Sequence, residues 1–110
     1  MRYTNYTNID ARFSRPYEPG DRLVKGWEED FPPCFRPVAD PDVFHRLAET
    51  IFAKHNRDDR PDGRLCPSMS IGDVIVIGEI ALSVASIGFV PVDLDPADLI
   101  TDRTWSEVVR

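Results

Sequence analysis

The sequence has few cysteines, and its two are badly placed for a metal site. Among 110 residues, Cys34 and Cys66 lie far apart, and neither has a second cysteine or a histidine at zinc-ligand spacing. A structural zinc site of the Cys/His type is therefore not expected, and we interpret both residues as free thiols in a reducing compartment. The sequence does not determine whether they pair with each other.

Basic charge is also scarce. The chain carries 13 Lys and Arg against 19 Asp and Glu, which gives a formal net charge of −6. The arginines between residues 57 and 64 are interleaved with aspartates that largely cancel their field. Direct nucleic-acid binding through a broad basic surface is therefore not expected.

Long apolar segments are missing too. In the most apolar stretch, residues 68–93, Asp73 and Glu79 interrupt the first half, and the uncharged remainder runs only from Ile80 to Val92. A membrane-spanning helix needs about 20 apolar residues. The first ten residues have no apolar core of a signal peptide. We therefore expect a cytoplasmic protein without membrane contact.

That apolar stretch predicts a β-hairpin with two different faces. Strands 74–77 and 80–86 would be joined by Gly78-Glu79, because glycine in the first central position suits a type II′ turn. Pairing Ile77 with Ile80 places bulky residues on one face and small residues on the other. We expect the bulky face in the core. The small-residue face should lie under a helix or another backbone segment, or form a contact surface for a partner. The bulky face comprises Ile75, Ile77, Ile80, Leu82 and Val84, and the small-residue face comprises Val74, Val76, Ala81, Ser83 and Ala85.

A second, more exposed hairpin is predicted within residues 1–30. Residues 18–21, Glu-Pro-Gly-Asp, suit a type II turn between strands 9–17 and 22–27. The aromatic residues Tyr6, Tyr17 and Trp27 are candidate contacts for a partner. Residues 20–26, GDRLVKG, echo residues 72–78, GDVIVIG, and we interpret the echo as shared turn chemistry rather than duplication.

One main helix is predicted over residues 41–55. Asp40 suits the N-cap, Pro41 the first helical position, and apolar residues follow at helical spacing. Short helical turns are expected near the C-terminus, after Asp95 and at a capping box of Thr104 and Glu107. The fold prediction is a single α+β domain, residues 1–110, in which a small antiparallel sheet of two hairpins packs against this helix.

The sequence predicts no catalytic, metal or cofactor site. His45 and His55 are ten residues apart on the predicted helix, or about 15 Å, which is too far to share a metal ion. We expect them at the surface or at the helix end. A calcium loop beginning at Asp58 fails because Arg60 and Met69 stand where oxygen ligands are needed.

Two segments of the apolar stretch resemble a known family. Residues 68–76, SMSIGDVIV, followed by residues 85–89, ASIGF, are similar to the YodL-like domain over about residues 67–92. The resemblance implies a small protein of actinobacterial phages, plasmids or integrated elements. It implies no activity and no catalytic residues, and it leaves the role of residues 1–65 open.

Three functional hypotheses follow. The leading one is a non-enzymatic accessory protein that binds a protein, with a second copy of itself among the candidate partners. The alternative is an acidic nucleic-acid mimic that inhibits a DNA-binding host enzyme, and the third is an enzyme in which His45 or His55 converges with Asp58 or Asp59 in a cleft. The mimic requires one continuous surface of six carboxylates: Glu28, Glu29, Asp30, Asp93, Asp95 and Asp98.

Overall fold

A six-stranded mixed sheet organises the protein. The computed structural model describes residues 2–11, 13–30, 41–57 and 68–109. The strands lie in the order β5-β4-β3-β1-β2-β6 across the sheet. Their bounds are β1 Arg2–Asn8, β2 Leu23–Asp30, β3 Val74–Ile77, β4 Ile80–Val84, β5 Phe89–Pro91 and β6 Leu99–Ile100.

Within the described ranges there is one long helix, α1 (Pro41–Lys54), which ends one residue before the predicted end. The expected C-terminal helical turns are confirmed as a 3₁₀ turn, Pro96–Asp98, and a short helix, α2 (Trp105–Val109). Thr104 and Glu107 form the capping box, since each backbone N–H is bonded to the side chain of the other residue. The α+β prediction is confirmed, whereas the predicted N-cap at Asp40 lies outside the described residues.

The sheet is larger than two hairpins, and it is mixed rather than antiparallel. Leu23 and Val24 pair in parallel with Leu99 and Ile100. β5 and β6 lie at opposite edges of the sheet, so residues 92–98 must cross one of its faces. Val92 and Leu94 pack on that face during the crossing. This long return, which has no local sequence signal, adds the parallel strand.

The predicted β3–β4 hairpin is confirmed in register and turn. Ile77 pairs with Ile80, and Gly78 has a φ of 61° while Glu79 keeps a negative φ, as a type II′ turn requires. The second strand ends at Val84, two residues earlier than predicted. The bulky face lies in the core as expected, except that Ile80 is 37% exposed at the turn.

The prediction that residues 9–17 form the first strand of an N-terminal hairpin is wrong. The N-terminal strand is instead β1, which lies in the centre of the sheet between β2 and β3, and the described residues between 9 and 22 form an irregular connection. Asn8 ends the strand, because its side-chain Oδ1 accepts the N–H groups of Asp10 and Ala11 at 3.0 and 2.9 Å. The segment is not an exposed hairpin either, since Tyr3, Asn5 and Thr7 are buried.

The two Gly-Asp segments form the same turn. The N–H groups of Asp21 and Asp73 donate to the carbonyls of Glu18 and Ser70, each at 3.0 Å. The glycine before each aspartate has a φ of 101° or 98°, as a type II turn requires. Each aspartate carboxylate also accepts the N–H of Glu18 or Ser70, at 3.0 and 2.9 Å. The interpretation of the echo as turn chemistry is confirmed.

Asn8 joins these two turns at the end of β1. Its backbone N–H donates to Asp73 Oδ1 at 2.9 Å, and its side-chain Nδ2 donates to Asp21 Oδ2 at 3.1 Å. Arg15 binds both oxygens of Asp21, at 2.6 and 2.9 Å. Mainly because of this guanidinium, the pKa of Asp21 falls to about 2. Two turns that are distant in sequence are therefore fixed against one central strand.

Two apolar cores lie on opposite faces of the sheet. α1 covers the first, where Phe44, Leu47 and Ile51 pack against the bulky face of the β3–β4 hairpin. The irregular connection 9–22 and the crossing segment 92–99 contribute to the second, around Tyr17, Leu23 and Val74. The helix therefore packs on the bulky face, and irregular backbone covers the small-residue face.

Candidate functional site

Part of the predicted small-residue surface is covered by the chain itself. Val74 and Ser83 have no exposed area, and Tyr17 is 4% exposed. The backbone N–H of Tyr17 donates to Ser83 Oγ at 2.8 Å, so the connection between β1 and β2 lies directly on β4. Small side chains permit this close approach of a backbone. These three residues are not available to a partner, and their assignment to an interaction surface is corrected.

The other predicted contact residues are partly buried and belong to different parts of the molecule. Tyr6, Val76 and Ala81 pack against the second core, whereas Trp27 packs against the first core, on the other face of the sheet. Ala85 lines a groove beside α1. The structure therefore places six of the eight predicted residues in or beside the second core and separates Trp27 and Ala85 from them.

The groove that includes Ala85 lies between α1 and the turn from β4 to β5, and we call it the α1–β5 groove. Its volume is about 300 Å³. The rings of Phe52 and Phe89 lie 6.0 Å apart at 78°, and His45 lies 6.5 Å from Phe89. Edge-to-face packing of this kind holds aromatic rings in place. The lining residues are Glu49, Phe52, Val84, Ala85, Ser86, Gly88 and Phe89.

Ile87 lies at the tip of the turn that forms one side of this groove. The turn is closed by the N–H of Ala85, which donates to the carbonyl of Gly88 at 3.0 Å, and Gly88 has a φ of 71°. Ile87 is 92% exposed, more than Phe13 at 72% or Ile80 at 37%. A short hydrogen-bonded turn thus holds a large apolar side chain in solvent.

Glu49 gives the α1–β5 groove its charge. It lies on the exposed side of α1, and the other lining residues are uncharged. Glu49 makes no ion pair within the ranges the structure describes. The resulting surface is a groove of mixed polarity, with two phenylalanine rings and one carboxylate that has no ion pair among the described residues.

A separate polar cluster lies at the C-terminal end of α1. The Tyr3 hydroxyl donates to Glu29 Oε1 and lies 3.1 Å from His55 Nε2. Lys54 donates to the same Glu29 oxygen, and the Trp27 ring lies 6.5 Å from the His55 ring. Tyr3 and His55 are 3% and 4% exposed. His55 therefore lies at the helix end, one of the two expected positions, but it is buried rather than at the surface.

The charges of this cluster follow from its burial. Burial, together with the charge of Lys54, lowers the pKa of His55 to about 4, and burial and Glu29 raise the pKa of Tyr3. Burial acts to raise the pKa of Glu29, but hydrogen bonds from Lys54 and Tyr3 outweigh it and lower that pKa. At neutral pH the cluster therefore holds one ion pair beside a neutral tyrosine and a neutral histidine. Since Tyr3 donates its proton to Glu29, its oxygen accepts from His55 Nε2–H.

Burial limits the chemistry of this cluster. The side chains of Tyr3 and His55 have almost no contact with solvent, and the Trp27 indole N–H is buried beside them. The arrangement joins the end of α1 to β1 and β2. His45 lies elsewhere, against Phe89, and Asp58 and Asp59 lie outside the described residues.

The six carboxylates required by a nucleic-acid mimic are divided between two regions. Glu28 and Asp30 pair with Arg2, and Glu29 pairs with Lys54. Asp98 is buried, where it accepts hydrogen bonds from the Tyr17 hydroxyl and the Gly20 N–H. It precedes Leu99, the partner of Leu23, so Glu28 lies about five residues further along β2, or about 17 Å away. Only Asp93 and Asp95 of the six are exposed and without an ion pair in the described regions.

The described residues contain no group of three or more His, Cys, Asp or Glu side chains that could hold a metal ion. Cys34 and Cys66 lie outside these residues. No helix in the described ranges is long and apolar enough to cross a membrane.

Sequence reasoning missed Ile87 as a candidate contact. A glycine inside a strand pattern is typical of a bulge or bend, so the apolar residue just before Gly88 could have been recognised as the tip of a turn. The groove had no such signal, because Phe52 and Phe89 meet only once α1 lies on the sheet.

Comparisons with protein-family models, with curated proteins and with solved structures returned no significant match.

Proposed function

We propose that this chain is a non-enzymatic accessory protein that acts by binding another protein through the α1–β5 groove. The observation that supports the proposal is Ile87, a large apolar side chain that is 92% exposed beside a groove lined in part by Phe52 and Phe89. In protein contact sites a few central side chains provide most of the binding energy, and they commonly pair with pockets on the partner. Ile87 would enter the partner, and Phe52 and Phe89 would receive a side chain from it.

The resemblance to the YodL-like domain supports a setting for this activity, among cytoplasmic accessory proteins of actinobacterial phages or plasmids. Within the similar segments, Ser70 and Asp73 close a turn and so have a structural role. Ile87 belongs to the same segments, yet its side chain is almost entirely in solvent. Because Ile87 lies in the segments that resemble the family and has no packing role in this fold, a role in binding a partner would account for it.

The proposal predicts that Ile87→Asp strongly weakens partner binding without unfolding the protein. Its side chain is exposed, so the free energy of unfolding should change by no more than about 0.5 kcal/mol. Loss of a central apolar contact costs about 2 kcal/mol of binding, or about 30-fold in affinity. The measurement is affinity capture from an actinobacterial lysate with wild-type and variant protein, quantified by mass spectrometry.

Phe13→Asp is the matched control, because Phe13 is the next most exposed large apolar residue and lies on the connection between β1 and β2. Proteins recovered by the wild type should be recovered equally by this control and lost with Ile87→Asp. Recovery of no protein, or of the same proteins with Ile87→Asp, would contradict the proposal. If the protein recovered is the chain itself, light scattering should show a dimer that Ile87→Asp dissociates.

A further inference from the structure

The charge in the α1–β5 groove identifies the chemistry of the partner that it fits. Glu49 is the one charged residue of the lining, and it makes no ion pair within the described ranges. A partner that covered it with apolar surface alone would bury an uncompensated carboxylate, which opposes binding. An acidic partner would add repulsion. The groove therefore favours a partner that brings a positive charge to Glu49.

The aromatic wall adds a second requirement. Phe52 lies one helical turn from Glu49 along α1, and its ring is fixed against Phe89 at 6.0 Å. A lysine or arginine side chain can lay its apolar stem on such rings while its charged end stays at the carboxylate. Arginine suits the site better, since its planar guanidinium both stacks on aromatic rings and binds a carboxylate through two hydrogen bonds.

The adjacent sheet edge does not provide an alternative mode of recognition. β5 is only three residues long and contains Pro91, which has no N–H to donate to an added strand. Recognition at this end of the molecule must therefore use side chains. Ile87 lies beside the groove, so a partner that also carries apolar surface near its positive charge would bury this side chain.

We infer that the α1–β5 groove binds a protein segment in which an arginine lies next to a large apolar residue, with the arginine paired to Glu49 over Phe52 and Phe89. This inference rests on the proposed function and specifies its partner. The net charge of −6 acts in the same direction, since it attracts basic segments at long range.

The test uses a displayed library of random twelve-residue peptides, selected on the wild-type protein. Peptides that bind the wild type and fail to bind Ile87→Asp should be enriched in arginine within two residues of Leu, Ile, Phe, Met or Trp. For one such peptide, measured by fluorescence polarisation, Glu49→Gln should weaken binding about tenfold. Replacing the peptide arginine with glutamine should have the same effect, and the two changes together should cost little more than either alone.

Glu79→Gln is the matched control, because it removes the same charge from the turn at the other end of β4. It should change affinity less than twofold. If the Ile87-dependent peptides have no excess of arginine, or if Glu49→Gln leaves their affinity unchanged, the inference is wrong and the proposed function stands. If no selected peptide depends on Ile87, both are wrong.

Discussion

Gly20 and Gly72 have almost the same backbone conformation in different surroundings. A Cβ atom at Gly72 would lie 2.9 Å from the Ala11 carbonyl oxygen and 3.0 Å from that of Arg15, whereas one at Gly20 would meet nothing within 4 Å. Gly20→Ala should therefore lower the free energy of unfolding only because alanine is strained at a positive φ, by about 1–2 kcal/mol. We expect Gly72→Ala to cost about 1–3 kcal/mol more, because backbone must move to relieve the contact.

Urea unfolding of the two variants, monitored by tryptophan fluorescence, measures this difference. Because both glycines occupy the same position of a type II turn, Gly20→Ala is an internal control for the conformational cost. Equal losses in the two variants would show that the connection between β1 and β2 does not lie on Gly72 as described.

Single residues were predictable from the sequence where their partners are close in the chain. The Gly-Asp turns, the capping box at Thr104 and the turn at Gly78 depend on neighbours within three residues, and all are confirmed. Asn8 gave no signal, because it binds Asp21 and Asp73, which are 13 and 65 residues away. Burial of His55 under Tyr3 was missed for the same reason.

Among the elements, the contact between α1 and β1–β2 should depend on pH through His55. Its pKa is about 4 in the folded protein against 6.5 for the free side chain, so the unfolded chain binds more protons between these values. The contribution of His55 to stability is therefore complete above pH 6.5 and is lost as pH falls towards 4. The pKa of Asp21 is lowered from 3.8 to about 2, so its contribution to stability is lost only at lower pH, as pH falls from 3.8 towards 2.

The variant His55→Gln retains an N–H donor for Tyr3 but cannot titrate. Its free energy of unfolding, measured by urea titration at intervals from pH 7 to 4, should vary less with pH than that of the wild type. The difference in slope should correspond to the uptake of up to about one proton on unfolding. An NMR titration of the His55 ring should show a midpoint near 4. Equal slopes in the two proteins, or a midpoint near 6.5, would be inconsistent with the buried cluster.

The elements also show where local pattern is sufficient and where it is not. α1 and the β3–β4 hairpin were predictable because apolar spacing and turn residues lie within each element. β1, with the sequence RYTNYTN, has polar residues at buried positions such as Asn5, which a pattern of alternating polarity assigns to the surface. Its central place arises from pairing with β3, about 70 residues later in the chain.

For the whole molecule, the topology gives β1 a larger role than its composition suggests. Every residue of β1 pairs with β2, and Tyr3 to Tyr6 also pair with β3, so the strand joins the two halves of the sheet.

Removing residues 1–8 would separate β5-β4-β3 from β2-β6, and we expect the cooperative unfolding transition to disappear. Removing residues 101–110 takes away α2 and leaves all six strands, so that transition should persist at a lower urea midpoint. Circular dichroism with urea titration on the two truncated chains measures both outcomes. Had the N-terminal strand been residues 9–17, the first truncation would be tolerated, and a native-like spectrum with a cooperative transition after loss of residues 1–8 would therefore refute the central position of β1.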